Sequence, residues 1–259
     1  DNTAVGDNAL GANTTASNNT AVGADALLLN TTGAYNVAVG TLALDASTTA
    51  DSNTAIGYTS LGANTTGQYN TAVGSAALGT NTTADNNTAI GRNALLVNTT
   101  GAGNVAIGAL ALDANTTAAN NTAVGLSALS ANTTGTENVA FGQVALTQST
   151  TGNYNTGLGR AALYGNTTAS NNTAVGYNSL LSNTTGAENV SVGSTSLDAN
   201  TTGGYNTALG ANSLGANTTA DHNVAVGRDA LLANTTGAKN VSVGSNSTAS
   251  NTTGSNNVA

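Results

Sequence analysis

Few side chains in this sequence have the chemistry of a catalytic or metal-binding group. The 259 residues include one histidine, His222, and no cysteine, so disulfides and thiolate metal sites are excluded. The acids Asp45, Asp113 and Asp198 share one position of a 17-residue period but lie four and five periods apart. Calcium-binding solenoids repeat an acid at every turn, and acids this far apart cannot share an ion or a proton. We therefore expect no catalytic residue, no cofactor and no metal ion.

Three other features suggest a binding role, and each has a simpler structural explanation. The sequence Asn13-Thr14-Thr15 matches the acceptor pattern for N-glycosylation and recurs in most periods. We favour a structural column of asparagines at this position, and a dense sugar coat is the alternative. Four tyrosines share one position of the period; they are Tyr35, Tyr69, Tyr154 and Tyr205. We favour the interpretation that they are plain corner residues, and stacking on glycans is the alternative. Three arginines follow one another at intervals of 68 residues; they are Arg92, Arg160 and Arg228. We favour the interpretation that they are duplicated surface residues, and periodic contacts with acidic groups along a fibre are the alternative.

The composition excludes several classes of partner and leaves little material for a globular core. Leu, Ile, Val and Phe together number 46, only 6% of residues are charged, and the net charge is −8. Four positive residues are too few to bind a nucleic-acid backbone or an anionic membrane surface. The longest apolar run, residues 26–29, is far shorter than the roughly 20 residues of a membrane-spanning helix. We expect no nucleic acid and no membrane insertion, and a fold that depends on regularity.

That regularity is a 17-residue repeat without a single insertion or deletion. An asparagine begins each repeat, a glycine follows four residues later, a leucine four residues after that, and a Thr-Thr pair closes the repeat. The leucine is replaced only at Thr248, and the asparagine before the Thr-Thr pair only at Ser47 and Ser149. We refer to each set of equivalent residues as a column, named by its first member. The columns predicted to form structural ladders begin with Asn2, Val5, Gly6, Leu10 and Asn13, and continue with Asn19, Val22, Gly23, Leu27 and Asn30.

The length and composition of the repeat predict a coil of short strands. Seventeen residues are too few for a pair of helices, and Asn, Thr and Gly favour turns and strands. The segment Asn2–Gly6 alternates with the period of a strand, so Thr3 and Val5 share one face and Asn2 and Ala4 the other. Hairpins usually turn at Asn-Gly or Asp-Gly, and the sequence contains neither dipeptide. We predict an all-β parallel β-solenoid (β-roll) with 17 residues per turn and about 15 turns, in one continuous array over residues 1–259.

The same pattern predicts how the coil is stabilised. We expect two short extended segments per repeat, one at the strand and one at Ala9-Leu10, with the Val5 column packed against the Leu10 column. Two buried aliphatic side chains contribute roughly 3–6 kcal/mol per repeat, less than the entropy of ordering it. Backbone hydrogen bonds between turns and asparagine ladders must supply the difference. The small residues of the Ala4 column either allow a second chain to approach closely or fill the tight inside of the coil.

The repeats Asn53–Gly57, Asn104–Gly108 and Asn189–Gly193 resemble the [S/N]-x-A-[IV]-G repeats of YadA-like trimeric autotransporter adhesin heads. The longer form, with Leu and Asn-Thr-Thr-Gly, is similar to repeats of phage tail-fibre-like and bacterial surface-fibre proteins. The resemblance covers the whole chain and implies a left-handed β-roll, three chains side by side, and a role as spacer or adhesive head. The repeat here is longer, and leucine occurs where the adhesin heads usually have a small residue.

These observations predict a structural protein. Because the array starts and stops within a repeat, we expect an excerpt of a longer fibre, located outside the cell, on the cell surface or on a virion. The expected partners are further copies of the chain, with a homotrimer favoured over a single-chain solenoid, and host-surface or glycan ligands. The alternative function is ice binding by stacked threonine columns.

Overall fold

A computed structural model describes all residues from Asp1 to Ala259, and its regular elements are strands joined by turns, with no helix. Contacts divide the chain into two compact units, Asp1–Thr134 and Gly135–Ala259. Each repeat contributes one three-residue strand directly after its first asparagine. The first compact unit contains β1 (Thr3–Val5), β2 (Thr20–Val22), β3 (Val37–Val39), β4 (Thr54–Ile56), β5 (Thr71–Val73), β6 (Thr88–Ile90), β7 (Val105–Ile107) and β8 (Thr122–Val124). The second contains β9 (Val139–Phe141), β10 (Thr156–Leu158), β11 (Thr173–Val175), β12 (Val190–Val192), β13 (Thr207–Leu209), β14 (Val224–Val226) and β15 (Val241–Val243).

Within each compact unit every strand pairs with the next one in parallel, in a constant register. Ala55 of β4 lies opposite Ala72 of β5, and Ala72 lies opposite Ala89 of β6. The offset is 17 residues at each step, so one repeat makes one turn of the coil. The predicted all-β parallel β-solenoid with 17 residues per turn is confirmed.

The second extended segment predicted at Ala9-Leu10 is wrong, because this part of the repeat is a series of tight turns. In the first repeat the amide of Ala9 donates to the Gly6 carbonyl (3.4 Å) and the amide of Gly11 to the Asn8 carbonyl (3.0 Å). Asn8 and Leu10 have φ angles of 51° and 57°, the left-handed values that such turns require at their third residue. Left-handed backbone geometry costs a residue with a side chain about 1–2 kcal/mol. A leucine at this position therefore did not indicate a turn in the sequence.

The prediction that the Val5 column packs against the Leu10 column is also wrong. Leu78 and Ala72 are fully buried, whereas Ile56 and Ile90 of the Val5 column are 39% and 38% exposed. The strand does alternate as predicted, but the face carrying Asn2 and Ala4 points inward, since only small side chains fit the narrow interior. A typical repeat therefore buries one large aliphatic side chain, together with alanines or serines and two asparagines. The Ala4 column fills the inside of the coil and is not available to a second chain.

The Gly6 column forms the corner after the strand, where consecutive turns of the coil approach each other closely. Gly74 has a φ of 133°, and a Cβ added there would lie 2.6 Å from the carbonyl oxygen of Gly91 in the next repeat. A side chain is excluded both by the φ angle and by the neighbouring backbone. This accounts for a glycine at this position in every repeat.

Candidate functional site: the internal columns and the outward sheet face

The two asparagine columns, beginning at Asn2 and Asn13, lie inside the coil and join successive repeats. The Asn70 and Asn81 side-chain amides both donate to the carbonyl oxygen of Ala84, at 2.9 and 3.0 Å. Asn81 also donates to the side-chain oxygen of Asn64 one repeat earlier (2.9 Å), and the backbone amide of Asn87 donates to the side-chain oxygen of Asn70 (2.9 Å). These asparagines thus bond within their own repeat and to the neighbouring repeats. These bonds fix the register of the stack.

The Asn13 column is interrupted at Ser47. Neither the Ser47 hydroxyl nor the side-chain oxygen of Asn30, one repeat earlier, has a hydrogen-bond partner, although both atoms are buried. In the intact part of the column, an asparagine at the next repeat would donate to that oxygen, as Asn98 donates to Asn81 (3.0 Å). Serine is too short to reach it. Ser47 leaves this part of the stack incomplete, and the side-chain oxygen of Asn13, one repeat before Asn30, also has no partner.

The threonines that close each repeat have two different environments. The hydroxyl of Thr65, in the Thr14 column, donates to the carbonyl oxygen of Thr82 at 3.0 Å, and the Thr65 amide donates to the same oxygen at 2.9 Å. The Thr14 hydroxyls are thereby committed to the backbone of the next repeat. The Thr15 column is threonine in all fifteen repeats and is exposed in every one.

Burial of the Asn13 column decides between the two interpretations of the Asn-Thr-Thr motif. Asn64 and Asn98 have no exposed surface, and both donate to glycine carbonyls, those of Gly67 and Gly101, at 2.9 Å. A sugar cannot be attached to such an amide in the folded chain. The structural interpretation applies, and the sugar coat on this column is excluded for the folded protein.

The aspartates of the coil have two different environments in the structure. Asp51, Asp85 and Asp221 each accept a backbone amide of the preceding repeat, from Ala34, Gln68 and Gly204, at 2.7 Å in all three cases. These carboxylates satisfy amides that the coil otherwise leaves unpaired.

Asp45, Asp113 and Asp198, by contrast, are half-buried. Burial raises the pKa of each of these carboxyl groups above the ordinary value of 3.8. In the sequence a leucine occupies the same column one repeat before each of them, at Leu28, Leu96 and Leu181. One side-chain oxygen of Asp113 has no hydrogen-bond partner. These three carboxyl groups are therefore only partly exposed to solvent.

The basic residues and the histidine do not converge on a common point. His222 is exposed and stacks on Tyr205, with ring centroids 4.9 Å apart and planes inclined by 10°. The Arg160 guanidinium lies 5.6 Å from the centre of the Tyr177 ring. The Arg228 side chain pairs with Asp229 at 2.9 Å. His222, Arg160 and Arg228 thus each have a different neighbouring side chain.

The outward face of the sheet is the largest common surface of the repeats. The Thr3 and Val5 columns alternate with buried residues along each strand and contain no charged residue. Twenty-one large hydrophobic side chains are exposed, and nineteen of them lie in these two columns or in the flanking Asp1 and Asp7 columns. The two exceptions are Leu29 and Leu232. We call the Thr3 and Val5 columns of either compact unit the outward sheet face.

The strand alternation did not reveal this face, because alternation distinguishes the two faces of a strand without showing which one is inside. The signal was present in the column of small residues: Ala72 and its equivalents are alanine, serine or glycine in every repeat, whereas the Val5 column accepts residues as large as Phe141. A crowded interior restricts side-chain volume, and a solvent-facing surface does not. Size variation within a column thus distinguishes inside from outside.

The structure has no pocket and no group of three or more side chains able to hold a metal ion. It also contains no helix of the length and hydrophobicity needed to cross a membrane. No protein-family model and no curated protein matches the sequence.

Proposed function

We propose that this chain is a structural, non-enzymatic fibre segment of an extracellular appendage, on a cell surface or a virion. The observation that carries the proposal is the bonding between successive repeats. From β2 to β8 of the first compact unit, each strand pairs with the next one. At each of these steps the asparagine directly before the strand also bonds to the equivalent asparagine of the preceding repeat. A stack fixed in this way holds its spacing without a large core, which is what a spacer between a surface and a distal adhesive module requires.

The proposed mechanism is geometric. A repeat can tilt or slip only by breaking strand hydrogen bonds, an asparagine bond and a threonine bond to its neighbour at the same time. Asn53 alone donates to the Gly67 carbonyl at 2.9 Å and accepts the backbone amide of Asn70 at 3.0 Å. Weak contacts repeated along the side of such an object add by avidity. Stiffness and multivalent attachment then follow from the same register.

Self-association is part of the proposal, with a homotrimer favoured and a single-chain solenoid as the alternative. The outward sheet face is uncharged and its Val5 column is apolar in every repeat; Ile56, Ile90 and Ile107 of that column are between 37% and 39% exposed. Contiguous apolar surface on a soluble protein marks an interaction site. Packing this face against further copies of the chain would remove it from water.

Particle mass tests the association. We expect sedimentation or mass photometry to give three times the 24.9 kDa of one chain. The double variant Ile56→Lys/Ile90→Lys should shift the particle to monomer while leaving the circular dichroism spectrum unchanged, since both residues are on the surface. Leu29→Lys is the matched control, an exposed leucine (49%) away from the outward sheet face, and it should leave the mass unchanged. A monomeric wild type, or equal effects of both variants, would reject this interface.

Location tests the functional proposal itself. Antibodies raised against the folded chain should label intact source cells or particles, at a constant distance from the surface along an appendage. Labelling only after lysis would contradict a role as an external fibre segment.

Ice binding is the second candidate, and the Thr15 column is the observation that favours it. The whole chain has fifteen exposed threonines in this column, one in each repeat. Within each compact unit they are spaced about 4.8 Å apart. The Thr14 hydroxyls beside them donate to backbone carbonyls, so only one regular threonine column faces solvent. Thermal hysteresis of the purified chain decides: its presence supports ice binding, and a freezing point equal to the melting point removes this candidate.

A further inference from the structure

Two tyrosines in the first compact unit are exposed and lie two repeats apart in the same column. Tyr35 and Tyr69 belong to the Asp1 column, which precedes the strand, and their exposed fractions are 64% and 61%. They are the most exposed aromatic residues of the chain. Nothing in the folding of the coil requires an aromatic ring at this column, since other repeats have Ser52, Asn86 or Gly103 there. An exposed ring without a structural task is a candidate ligand contact.

The backbone beneath each ring is held firmly. Tyr35 and Tyr69 have φ angles of 61° and 58°, and their amides donate to carbonyls of the preceding repeat, those of Ser17 at 3.4 Å and Asp51 at 3.3 Å. The residue that follows each tyrosine is a buried asparagine of the Asn2 column. The two rings therefore start from points fixed by the hydrogen bonds of the stack, which lowers the entropic cost of binding.

The spacing of the pair indicates the class of ligand. The two tyrosines are two repeats apart, which places their Cα atoms about 9.5 Å apart along the stacking direction. Ser52 occupies the same column between them and is too small to fill the gap. In an extended β-1,4-linked glycan, alternate sugar rings present the same apolar face, and their separation is close to this distance. Aromatic rings at that interval can stack on every second sugar, while nearby serine and threonine hydroxyls bond the sugar hydroxyls.

We propose that Tyr35 and Tyr69 form a binding platform for an extended β-1,4-linked polysaccharide lying along the stacking direction. The pair contacts the ligand through ring stacking, and Ser52 leaves room for the intervening sugar. This site goes beyond the fibre role and does not depend on it, because both tyrosines lie in one compact unit of one chain.

Co-sedimentation with insoluble cellulose and chitin tests the platform. We expect the wild type to bind at least one of the two polymers, and Tyr35→Ala/Tyr69→Ala to lower the bound fraction about tenfold at equal protein concentration. Tyr164→Ala is the matched control, because Tyr164 lies in a column away from the outward sheet face and should not affect binding. The folded state of each variant is checked by its circular dichroism spectrum and particle mass.

A spacing variant separates this platform from a general effect of tyrosines. Ser52→Tyr/Tyr69→Ala keeps two tyrosines in the column but halves their separation, and it should bind as weakly as the double alanine variant. Failure of the wild type to bind either polymer would overturn the proposal, as would full binding by either double variant. A change in particle mass of Tyr35→Ala/Tyr69→Ala with no polymer binding by the wild type would assign the pair to self-association instead.

Discussion

At the scale of single residues, the buried asparagines stabilise the inside of the coil, as a hydrophobic core stabilises a globular protein. A buried amide without a partner costs roughly 1–3 kcal/mol, so an asparagine column is stabilising only while each member meets the next. Asn81 meets both neighbours, donating to Asn64 and accepting from Asn98. Asn30 meets neither neighbour: Ser47 follows it, and the side-chain oxygen of Asn13 before it has no partner. The stability of the stack is therefore sensitive to single polar atoms.

Restoring the column should stabilise the protein. In Ser47→Asn, the new amide is expected to donate to the Asn30 oxygen and to the Ala50 carbonyl, the arrangement seen at Asn81, and its oxygen to accept from Asn64. We expect a gain of about 1–2 kcal/mol in the free energy of unfolding of the first compact unit. Urea denaturation measures it, and Asn81→Ser is the reverse control, which should destabilise by a similar amount. A destabilised Ser47→Asn would contradict this account of the interrupted column.

The half-buried acids should make stability depend on pH in a defined direction. Burial raises the folded-state pKa of Asp113 above 3.8, so protonation favours the folded chain. The stabilisation is complete below about pH 3.8, the unfolded value, and is lost as the pH rises through the folded-state pKa. Asp113→Asn should therefore be more stable than the wild type at pH 7 and lose this advantage at pH 3. Denaturation midpoints at the two pH values measure the difference. Asp85→Asn is the control for charge removal, because Asp85 accepts a backbone amide and its replacement should not stabilise.

At the scale of elements, the strand and its register were predictable and the rest of the repeat was not. Alternation over Asn53–Gly57 and the constant 17-residue period sufficed for a parallel strand stacked one repeat per turn, because any slip would move every column. The turns through Leu61 could not be predicted, since leucine rarely adopts the φ of 52° that it has here. The orientation of the strand also escaped prediction, although the uniformly small Ala4 column indicated the inside. The candidate outward sheet face was consequently assigned to the interior.

Substitutions at glycine separate the corner from the turns. Gly74→Ala places a Cβ within 2.6 Å of the Gly91 carbonyl oxygen at a φ of 133°, so we expect a loss of at least about 2 kcal/mol of stability. Gly79→Ala is the matched control in the same repeat. Its φ is not in the left-handed region, and other repeats have Leu96 or Asp113 in that column, so the change should be tolerated. Thermal unfolding of both variants gives the comparison, and equal effects would contradict a special role for the corner.

At the scale of the whole molecule, the repeat explains how a chain with so few large apolar residues folds. Every repeat but the one containing Thr248 buries one leucine, and the columns connect each repeat to its neighbours through backbone, asparagine and threonine bonds. The surface that results is unequal: exposed apolar and aromatic residues gather on the outward sheet face and its flanking columns, and the Thr15 column carries a uniform row of hydroxyls. The three proposals, fibre assembly, ice binding and glycan binding, each use a different one of these surfaces. All of them depend on one repeat occupying one layer.

Disulfide formation between introduced cysteines tests that layering most directly, because the natural chain has none to interfere. Residues 17 apart in the register, such as Thr71 and Thr88, should be about 4.8 Å apart, within the range that a disulfide can bridge. Residues 34 apart, such as Thr71 and Val105, should be about 9.5 Å apart, beyond that range. We predict rapid disulfide formation within the chain for Thr71→Cys/Thr88→Cys and none for Thr71→Cys/Val105→Cys in the folded protein, with bonds between chains recognised by their doubled mass under denaturing, non-reducing conditions. Cross-linking of the second pair, or failure of the first, would show that the repeats are not stacked one per layer.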